Sequence, residues 1–295
     1  HHIDHCVRLT HLSGPKQILM PGLAFDAARQ SFKKDDLKKE DAVKIAPLSW
    51  MKYGPYLLAG SEQPVEVCEV AEAQTAPAAP PANSEHGQRQ ASDNDPIVWG
   101  WRPALGQVVP GTNFVLDERA ADSRLGEVWA GKEERANQRR MFRFCVRNDW
   151  VRALKEKEDV LKSLKRVVEN RNVVGIHAVS LDQPPFYLMT DYIEGKDLRT
   201  WSKELGGLTG VPLTSRLELV AQVAAGLQAA HEVGIVHRFM DPARIIVFGS
   251  GATPKDIQAR LTDFAIGNIG TPDEPLEVIV PPAPEPPTEA GPTAG

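Results

Sequence analysis

The sequence predicts an α+β fold made of two globular parts, and three observations support this prediction. Apolar residues recur at helix and strand spacing over residues 1–71 and again from Ile97 to about residue 270. Between them, residues 72–111 open with a run rich in Ala, Pro, Ser, Asn and Asp, so we expect a mostly disordered linker. Residues 271–295 are dominated by Pro, Ala, Glu and Gly, which predicts an extended, solvated tail.

Composition limits the class of partner and the compartment. The 295 residues carry a net charge of −5, which does not indicate a nucleic acid or an anionic membrane as the main partner. The cysteines (Cys6, Cys68 and Cys145) form no pair motif and are typical of reduced thiols in a cytoplasmic protein. No segment approaches the roughly 20 uncharged apolar residues that a membrane helix needs. Because the chain begins at His1 rather than at Met, we expect a piece of a longer protein.

The first globular part has the pattern of a mixed α/β unit. A short helix is predicted over residues 6–12 and is stopped by the Ser-Gly-Pro run that follows it. Residues 17–20 favour a strand, and residues 23–32 favour a second helix. A last strand is predicted around Val65, Val67 and Cys68, directly before the linker.

This part resembles the C-terminal part of class III nucleotide cyclase domains. The resemblance lies in four short runs, at residues 7–9, 13–19, 54–60 and 63–67. It implies that Asp4 and Arg8 stand where the family has an Asn and an Arg that steady the transition state. An acidic Asp4 would repel a triphosphate, and the family's metal-binding aspartates would lie upstream of His1. We therefore expect no cyclase activity from this chain alone.

The second part carries an ordered series of motifs near its end. A helix ending near His231 is followed by His237-Arg238, by Pro242, by an apolar strand at residues 245–247 and by Asp263-Phe264. This series resembles the catalytic loop and the metal loop of protein kinases. The resemblance implies a protein-kinase-like fold over residues 112–270, with an N-lobe and an incomplete C-lobe, since Pro-rich sequence follows where further helices belong.

The helix before the catalytic loop would then lack part of its cover. Leu217, Val220, Ala224 and Leu227 are predicted to share one of its faces. We expect that face to stay partly in water, as an exposed apolar stripe.

The resemblance also assigns nucleotide-binding positions in the N-lobe. Gly126 is the one glycine left in the phosphate-covering hairpin, and Val128 follows it on the next strand. Arg143 stands where the family has its phosphate-contacting Lys, so a planar guanidinium group replaces a compact ammonium group. Its expected partner is Glu158 in the following helix, with Glu156 as the alternative.

A further strand resembles the segment that reads adenine through backbone groups. Thr190 would be the gatekeeper, and Asp191 through Ile193 would form the hinge. The alternative is an ordinary buried strand that ends in a turn.

The catalytic loop has lost the groups that do the chemistry. His237 and Arg238 remain, but Phe239 replaces the catalytic Asp, Asp241 replaces the loop Lys and Arg244 replaces the metal-binding Asn. An aromatic ring cannot accept a proton or orient a hydroxyl. Asp263 keeps the chemistry to ligate Mg²⁺, whereas Ala265 stands in place of the glycine after it.

Three hypotheses follow from this pattern. The first is a kinase-family signalling module with impaired catalysis that still binds ATP. The second is an active serine/threonine protein kinase, and the third is a fragment without a selected activity. The resemblance implies ATP and Mg²⁺ as cofactors and other proteins as partners. Whether the chain is an enzyme, and in which oligomeric state it acts, stays open at this point.

Overall fold

Three antiparallel sheets organise the protein. The computed structural model describes residues 2–31, 48–72, 79–90, 92, 94–123, 125–267 and 269. The predicted tail at residues 271–295 lies outside this range. The first sheet has the strand order β1-β3-β2-β4 with β5 on β2, the second has the order β6-β7-β8-β10-β9, and the third has the order β11-β12-β13.

The first sheet carries two helices, each with its own cluster of buried residues, and the elements follow in the predicted order. Its elements are α1 (His2–Leu12), β1 (Ile18–Pro21), α2 (Gly22–Ser31), β2 (Leu48–Leu58) and β3 (Val65–Glu72). Leu9 and Leu12 of α1 are buried together with Tyr56 of β2. Phe25 of α2 meets Trp50 of β2 edge to face. The apolar stripes of both helices therefore fix them to β2.

The structure differs from the predicted linker over residues 79–90 and 94–111. Here β4 (Gly87–Arg89) and β5 (Gly100–Trp101) both pair with β2 and extend the first sheet. Val98 is buried in the large core under the second sheet, and Val109 is buried within that sheet's own core. Residues 97–111 contain several large apolar side chains, and their burial accounts for the order of this part of the segment.

The second sheet contains the predicted phosphate hairpin and hinge strands. It consists of β6 (Val115–Ser123), β7 (Gly126–Glu133), β8 (Gln138–Cys145), β9 (Ile176–Ser180) and β10 (Phe186–Asp191), with α3 (Asn148–Lys155) and α4 (Glu158–Ser163) between β8 and β9. Phe142 and Phe144 of β8 are buried and meet Tyr187 edge to face. The alternating apolar residues of β8 therefore face one core, as the sequence predicts.

Gly126 begins β7 in a conformation that excludes a side chain. Its φ is +129°, and a Cβ at this position would lie 2.0 Å from the carbonyl oxygen of Phe144. Gly126 is paired with Cys145 on one side and with Ser123 on the other. The glycine thus lets the hairpin lie directly against β8.

The third sheet packs against a long helix. The elements are β11 (Lys196–Asp197), α5 (Leu198–Glu204), α6 (Leu213–Glu232), β12 (Ile245–Phe248) and β13 (Gln258–Leu261). Gln222 of α6 accepts a hydrogen bond from the Ala259 N–H at 2.7 Å and donates one to the Ile257 carbonyl at 3.0 Å. This buried amide fixes α6 against the strand that leads to Asp263.

The opposite face of α6 is open to solvent. Leu217 is 60% exposed and Val220 is 62% exposed, and Ala224 is exposed beside them, as predicted for an uncovered stripe. Leu227 differs from the prediction because it is partly buried against the core. Within the described residues, no helix is long and apolar enough to cross a membrane.

A buried ion pair joins the first sheet's layer to the second sheet. Arg29 of α2 is 4% exposed and donates to both carboxylate oxygens of Glu127 in β7, at 2.7 and 2.8 Å, and to the Pro103 carbonyl at 2.6 Å. Burial disfavours the Glu127 carboxylate, but the hydrogen bonds and charge of Arg29 outweigh this and hold its pKa below the usual range. The hairpin strand is therefore attached to the N-terminal part of the protein.

Removing Arg29 should destabilise the protein strongly, because it leaves Glu127 buried without its cation. We expect Arg29→Ala to lower the free energy of unfolding by about 3–5 kcal/mol at pH 7. Arg199→Ala, which breaks an exposed pair with Asp241, should cost about 0–1 kcal/mol. Urea denaturation of both variants measures this difference, and equal losses would contradict the role of the buried pair.

The same pair should give a pH dependence of defined sign. A carboxylate with a lowered pKa in the folded state stabilises the protein fully above its unfolded pKa of about 4.3, and this contribution is lost as the pH falls through the folded pKa. The gap in unfolding free energy between wild type and Arg29→Ala should therefore shrink on acidification below about pH 4. A gap that stays constant down to pH 3 would show that Glu127 is not responsible.

Gly126 offers a test of the hairpin's close packing. Gly126→Ala adds a Cβ against the Phe144 carbonyl at a positive φ, so we expect a loss of about 3 kcal/mol or more. Gly111→Ala is the matched control, because Gly111 has a φ of +77° but no atom within 4 Å of its added Cβ. Only backbone strain of about 1–2 kcal/mol should appear there. Similar losses of unfolding free energy in urea would refute the predicted clash.

Candidate functional site

Arg143 occupies the centre of the second sheet and reaches the end of the third. In register it lies opposite Val128 of β7 and Leu188 of β10, so the predicted nucleotide-binding residues Val128 and Arg143 are neighbours. Its Nη1 donates to Oδ1 of Asp263 at 2.7 Å. Both side chains are about four-fifths buried, which makes this contact a largely desolvated ion pair.

The predicted pair between Arg143 and Glu158 is not formed. Glu158 is the first residue of α4, and its Oε1 lies 2.7 Å from Nζ of Lys162, four residues along the same helix. Glu156, the alternative, is exposed at the end of α3. Leu164, just after α4, lines a small cavity together with Arg143 and Asp263. The helix therefore presents an apolar side chain where an acid was expected, and Asp263 is the acid that Arg143 binds.

A second arginine approaches Asp263 from the catalytic-loop side. Nη1 of Arg244 lies 4.0 Å from Oδ2 of Asp263, and its Nη2 donates to the Gly267 carbonyl at 2.6 Å. The Nε of Arg244 is buried and has no hydrogen-bond partner in the described part of the chain. Arg244 thus keeps an unused donor beside the carboxylate.

The two arginines determine the charge state of Asp263. Burial alone disfavours the carboxylate, but the charge and hydrogen bond of Arg143, with the charge of Arg244, hold the pKa of Asp263 below its usual range. Thr262 Oγ1 also donates to Oδ1 at 3.2 Å. The site therefore combines one fixed anion with two guanidinium groups, and its net charge is positive.

The catalytic-loop residues are placed around this centre. His237 is buried, with Nε2 2.9 Å from the Thr262 carbonyl oxygen and its ring 4.5 Å from that of Phe264. Burial lowers the pKa of His237, which the Thr262 hydrogen bond and the charge of Asp263 only partly offset. Arg238 is exposed, with a φ of +68°. The retained His therefore holds the metal-loop backbone and is neutral at pH 7.

The replaced residues do not rebuild an acid or base. A Cβ on Gly267 would lie 2.7 Å from Cβ of Phe239, so the aromatic residue packs closely against that glycine. Asp241 accepts from the Ala243 N–H at 2.8 Å and lies 3.4 Å from Nη2 of Arg199. Its carboxylate therefore caps a turn and pairs on the surface.

The hinge strand is anchored by contacts that sequence reasoning missed. The carboxylate of Asp191 accepts from the Gly175 N–H at 3.0 Å and from Arg260 at 3.2 Å, and it lies 2.7 Å from Nε2 of His177. These partners are distant in sequence, so no local pattern signals them. Thr190 lines the small cavity beside Arg143, and Ile193 follows partly buried after the strand. Asp191 is thus anchored at the end of β10, directly after Thr190, which lines the cavity.

That cavity is too small to hold a nucleotide group. It has a volume of about 20 Å³, room for a single water molecule, and it lies behind Thr190.

Mg²⁺ does not fit the residues at Asp263. A magnesium site supplies carboxylate and other oxygen ligands, but here the carboxylate binds Arg143 and an arginine replaces the second ligand. The described residues contain no group of three or more His, Cys, Asp or Glu side chains that could hold a metal ion. The predicted metal role of Asp263 is thus disfavoured by its neighbours.

Asp4 and Arg8, which the sequence resemblance assigned to a cyclase remnant, lie on α1. Arg8 donates from Nη1 to the Ala59 carbonyl oxygen, in the turn after β2, and Asp4 is exposed. Gly60 adopts a φ of +68° under the Arg8 guanidinium. Arg8 thus stabilises a turn of the first sheet.

A family model described as protein tyrosine and serine/threonine kinase matches residues 115–274. A probable serine/threonine-protein kinase of Clostridium perfringens is 29% identical over 138 residues, which are 45% of this chain and 19% of that protein. The serine/threonine-protein kinase PkaA of Streptomyces coelicolor is 31% identical over 119 residues, which are 40% of this chain and 20% of that protein. The matched region thus spans about a fifth of each relative's length.

Among solved structures, the kinase domain of Mycobacterium tuberculosis PknI matches with 18% identity and a TM-score of 0.45, over 56% of this chain and 64% of that one. The family model is the stronger finding, because it covers more than half of the 295 residues. The chain therefore belongs to the protein tyrosine and serine/threonine kinase family.

Proposed function

We propose that this chain is a nucleotide-binding signalling module of the kinase family whose phosphotransfer is impaired, in short a pseudokinase. The observation that carries the proposal is the pairing of Asp263 with Arg143 at 2.7 Å, with Arg244 beside it. Phosphoryl transfer depends almost wholly on positioning phosphate, metal and acceptor. The charge of the metal-loop carboxylate is compensated by two arginines, so this carboxylate no longer positions a metal ion and phosphate for transfer.

The catalytic loop supports the same proposal. Phe239 offers no proton acceptor, and an oriented acid or base contributes about 10²–10⁴ in rate. Asp241, the nearest acid in the loop, is engaged by the Ala243 N–H and Arg199. Two independent parts of the machinery therefore lack their chemistry, and restoring one of them leaves the other deficient.

Nucleotide binding is supported by the parts that remain. The hinge strand is anchored through Asp191 to three partners, and the hairpin strand lies in register with Arg143. Adenine readout in this family uses backbone groups, so drift of the hinge side chains does not remove it. The excess positive charge near Asp263 also suits a polyphosphate.

The wider assignment extends this proposal to the whole chain. We assign residues 1–71 to a cyclase-like domain, residues 72–111 to the connection and residues 112–270 to a kinase-like domain. The order α1-β1-α2-β2-β3 supports the first assignment. The unpaired thiols of Cys6, Cys68 and Cys145 favour the cytoplasm, where the module would act through other proteins.

A phosphotransfer assay tests the proposed loss of catalysis. The purified whole chain is incubated with γ-labelled ATP, Mg²⁺ or Mn²⁺ and casein as a general acceptor. We expect no label above background from wild type, and none from Phe239→Asp, because Arg244 still stands beside Asp263. Transfer by the wild type that disappears in Asp263→Ala would overturn the proposal and favour an active serine/threonine kinase.

A further inference from the structure

The strongest unexplained feature of the site is an arginine with unused donors beside a neutralised carboxylate. Arg244 is held by one hydrogen bond, from Nη2 to the Gly267 carbonyl. Its Nη1 lies 4.0 Å from Asp263, and its Nε is buried without a partner in the described residues. The Nε atoms of five other arginines are unpartnered in the same way, and the Nε of Arg244 lies against Gly267. Arg244 is therefore distinguished by its place beside Asp263, where Nη1 is the donor that an anion would use.

The charges around Asp263 indicate which class of ligand the site would bind. Arg143 and Arg244 bring two positive charges to the site, and Asp263 brings one negative charge that Arg143 already binds. A further cation is repelled, whereas an anion is attracted. A guanidinium presents its donors in a planar fork that matches phosphate oxygens.

The position of Arg143 within the fold restricts the possible ligands further. Arg143 lies opposite Val128 on the hairpin strand and on the same sheet as the hinge strand β10. An anion bound between Arg143 and Arg244 would therefore belong to a ligand that also reaches the hinge. A nucleoside di- or triphosphate has that extent and charge.

We infer that this site binds the polyphosphate of a nucleotide without a divalent cation, the guanidinium of Arg244 taking the place of the metal beside Asp263. This inference rests on the proposed nucleotide-binding function and specifies how it is achieved. The contacts of Arg244 support it in particular. A Cβ on Gly267 would lie 2.6 Å from Nε of Arg244, so glycine at this position lets the side chain lie close to the backbone.

Metal-free nucleotide binding is tested on the purified whole chain with ribose-labelled fluorescent ATP and ADP. Binding is titrated in excess EDTA and in excess MgCl₂. We expect dissociation constants that agree within about twofold in the two conditions, because the fixed guanidinium charges replace the ion. Binding that requires Mg²⁺ would overturn the inference and leave the proposed function standing. The absence of binding in both conditions would overturn the inference as well.

Two variants test whether Arg244 is responsible for nucleotide binding in EDTA. Arg244→Asn should weaken binding in EDTA by about 10–100-fold, because a hydrogen bond to a charged group is lost, and Mg²⁺ should recover part of the loss. Arg152→Asn makes the same chemical change at an exposed arginine of α3 and should leave binding unchanged. Equal weakening by both would contradict a specific role of Arg244.

The outcome stays decisive if Arg244→Asn does not fold, because the wild-type comparison alone answers the question. Circular dichroism and thermal unfolding of each variant show whether the fold is retained. The phosphotransfer assay gives a separate readout: transfer would refute impaired catalysis, whereas a Mg²⁺ requirement without transfer would refute only metal-free binding.

Discussion

The ion pair between Arg143 and Asp263 connects the two lobes and determines what the site between them can hold. Arg143 belongs to the central strand of the second sheet, whereas Asp263 follows the last strand of the third. Their contact at 2.7 Å neutralises the carboxylate that kinases use for metal. Because Arg244 adds a second positive charge at 4.0 Å, the pocket attracts anions and repels cations.

The other substitutions are consistent with this redistribution of charge. Leu164, and not a glutamate, lies beside Arg143, so the arginine forms its ion pair with Asp263. Glu158 pairs instead with Lys162 on the surface of α4. Phe239 and Arg244 both pack against Gly267, so the altered loop has a defined structure of its own. The framework around it persists, since Gln222, His237 and Asp191 make buried or partly buried contacts that hold α6, the loop and the hinge. The buried pair of Arg29 and Glu127 then attaches the hairpin strand to the N-terminal part.

Local elements could be predicted from the sequence, because periodicity records which face of a helix or strand is buried. The strand expected at residues 17–20 corresponds to β1, and the helix expected to end near His231 is α6. Contacts between distant residues could not be predicted in the same way. The partners Arg143 and Asp263 are 120 residues apart, and Arg29 and Glu127 are 98 apart. Residues 79–90 and 94–111 differ from the predicted linker, because they pair with β2 and bury residues such as Val98 and Val109, which are contacts between distant parts of the chain. The sequence did signal the excess of positive charge near Asp263, because Arg143 and Arg244 replace the Lys and the Asn that the kinase family has at these positions.

The position of a metal ion relative to Asp263 tests the central claim most directly. A crystal of the whole chain grown with ATP and Mn²⁺ would show by anomalous scattering whether the ion lies at that carboxylate. The charge arrangement predicts no anomalous peak within about 2.5 Å of the Asp263 oxygens and an intact contact between Arg143 and Asp263. A manganese peak bound to Asp263, with Arg143 displaced from it, would contradict the account.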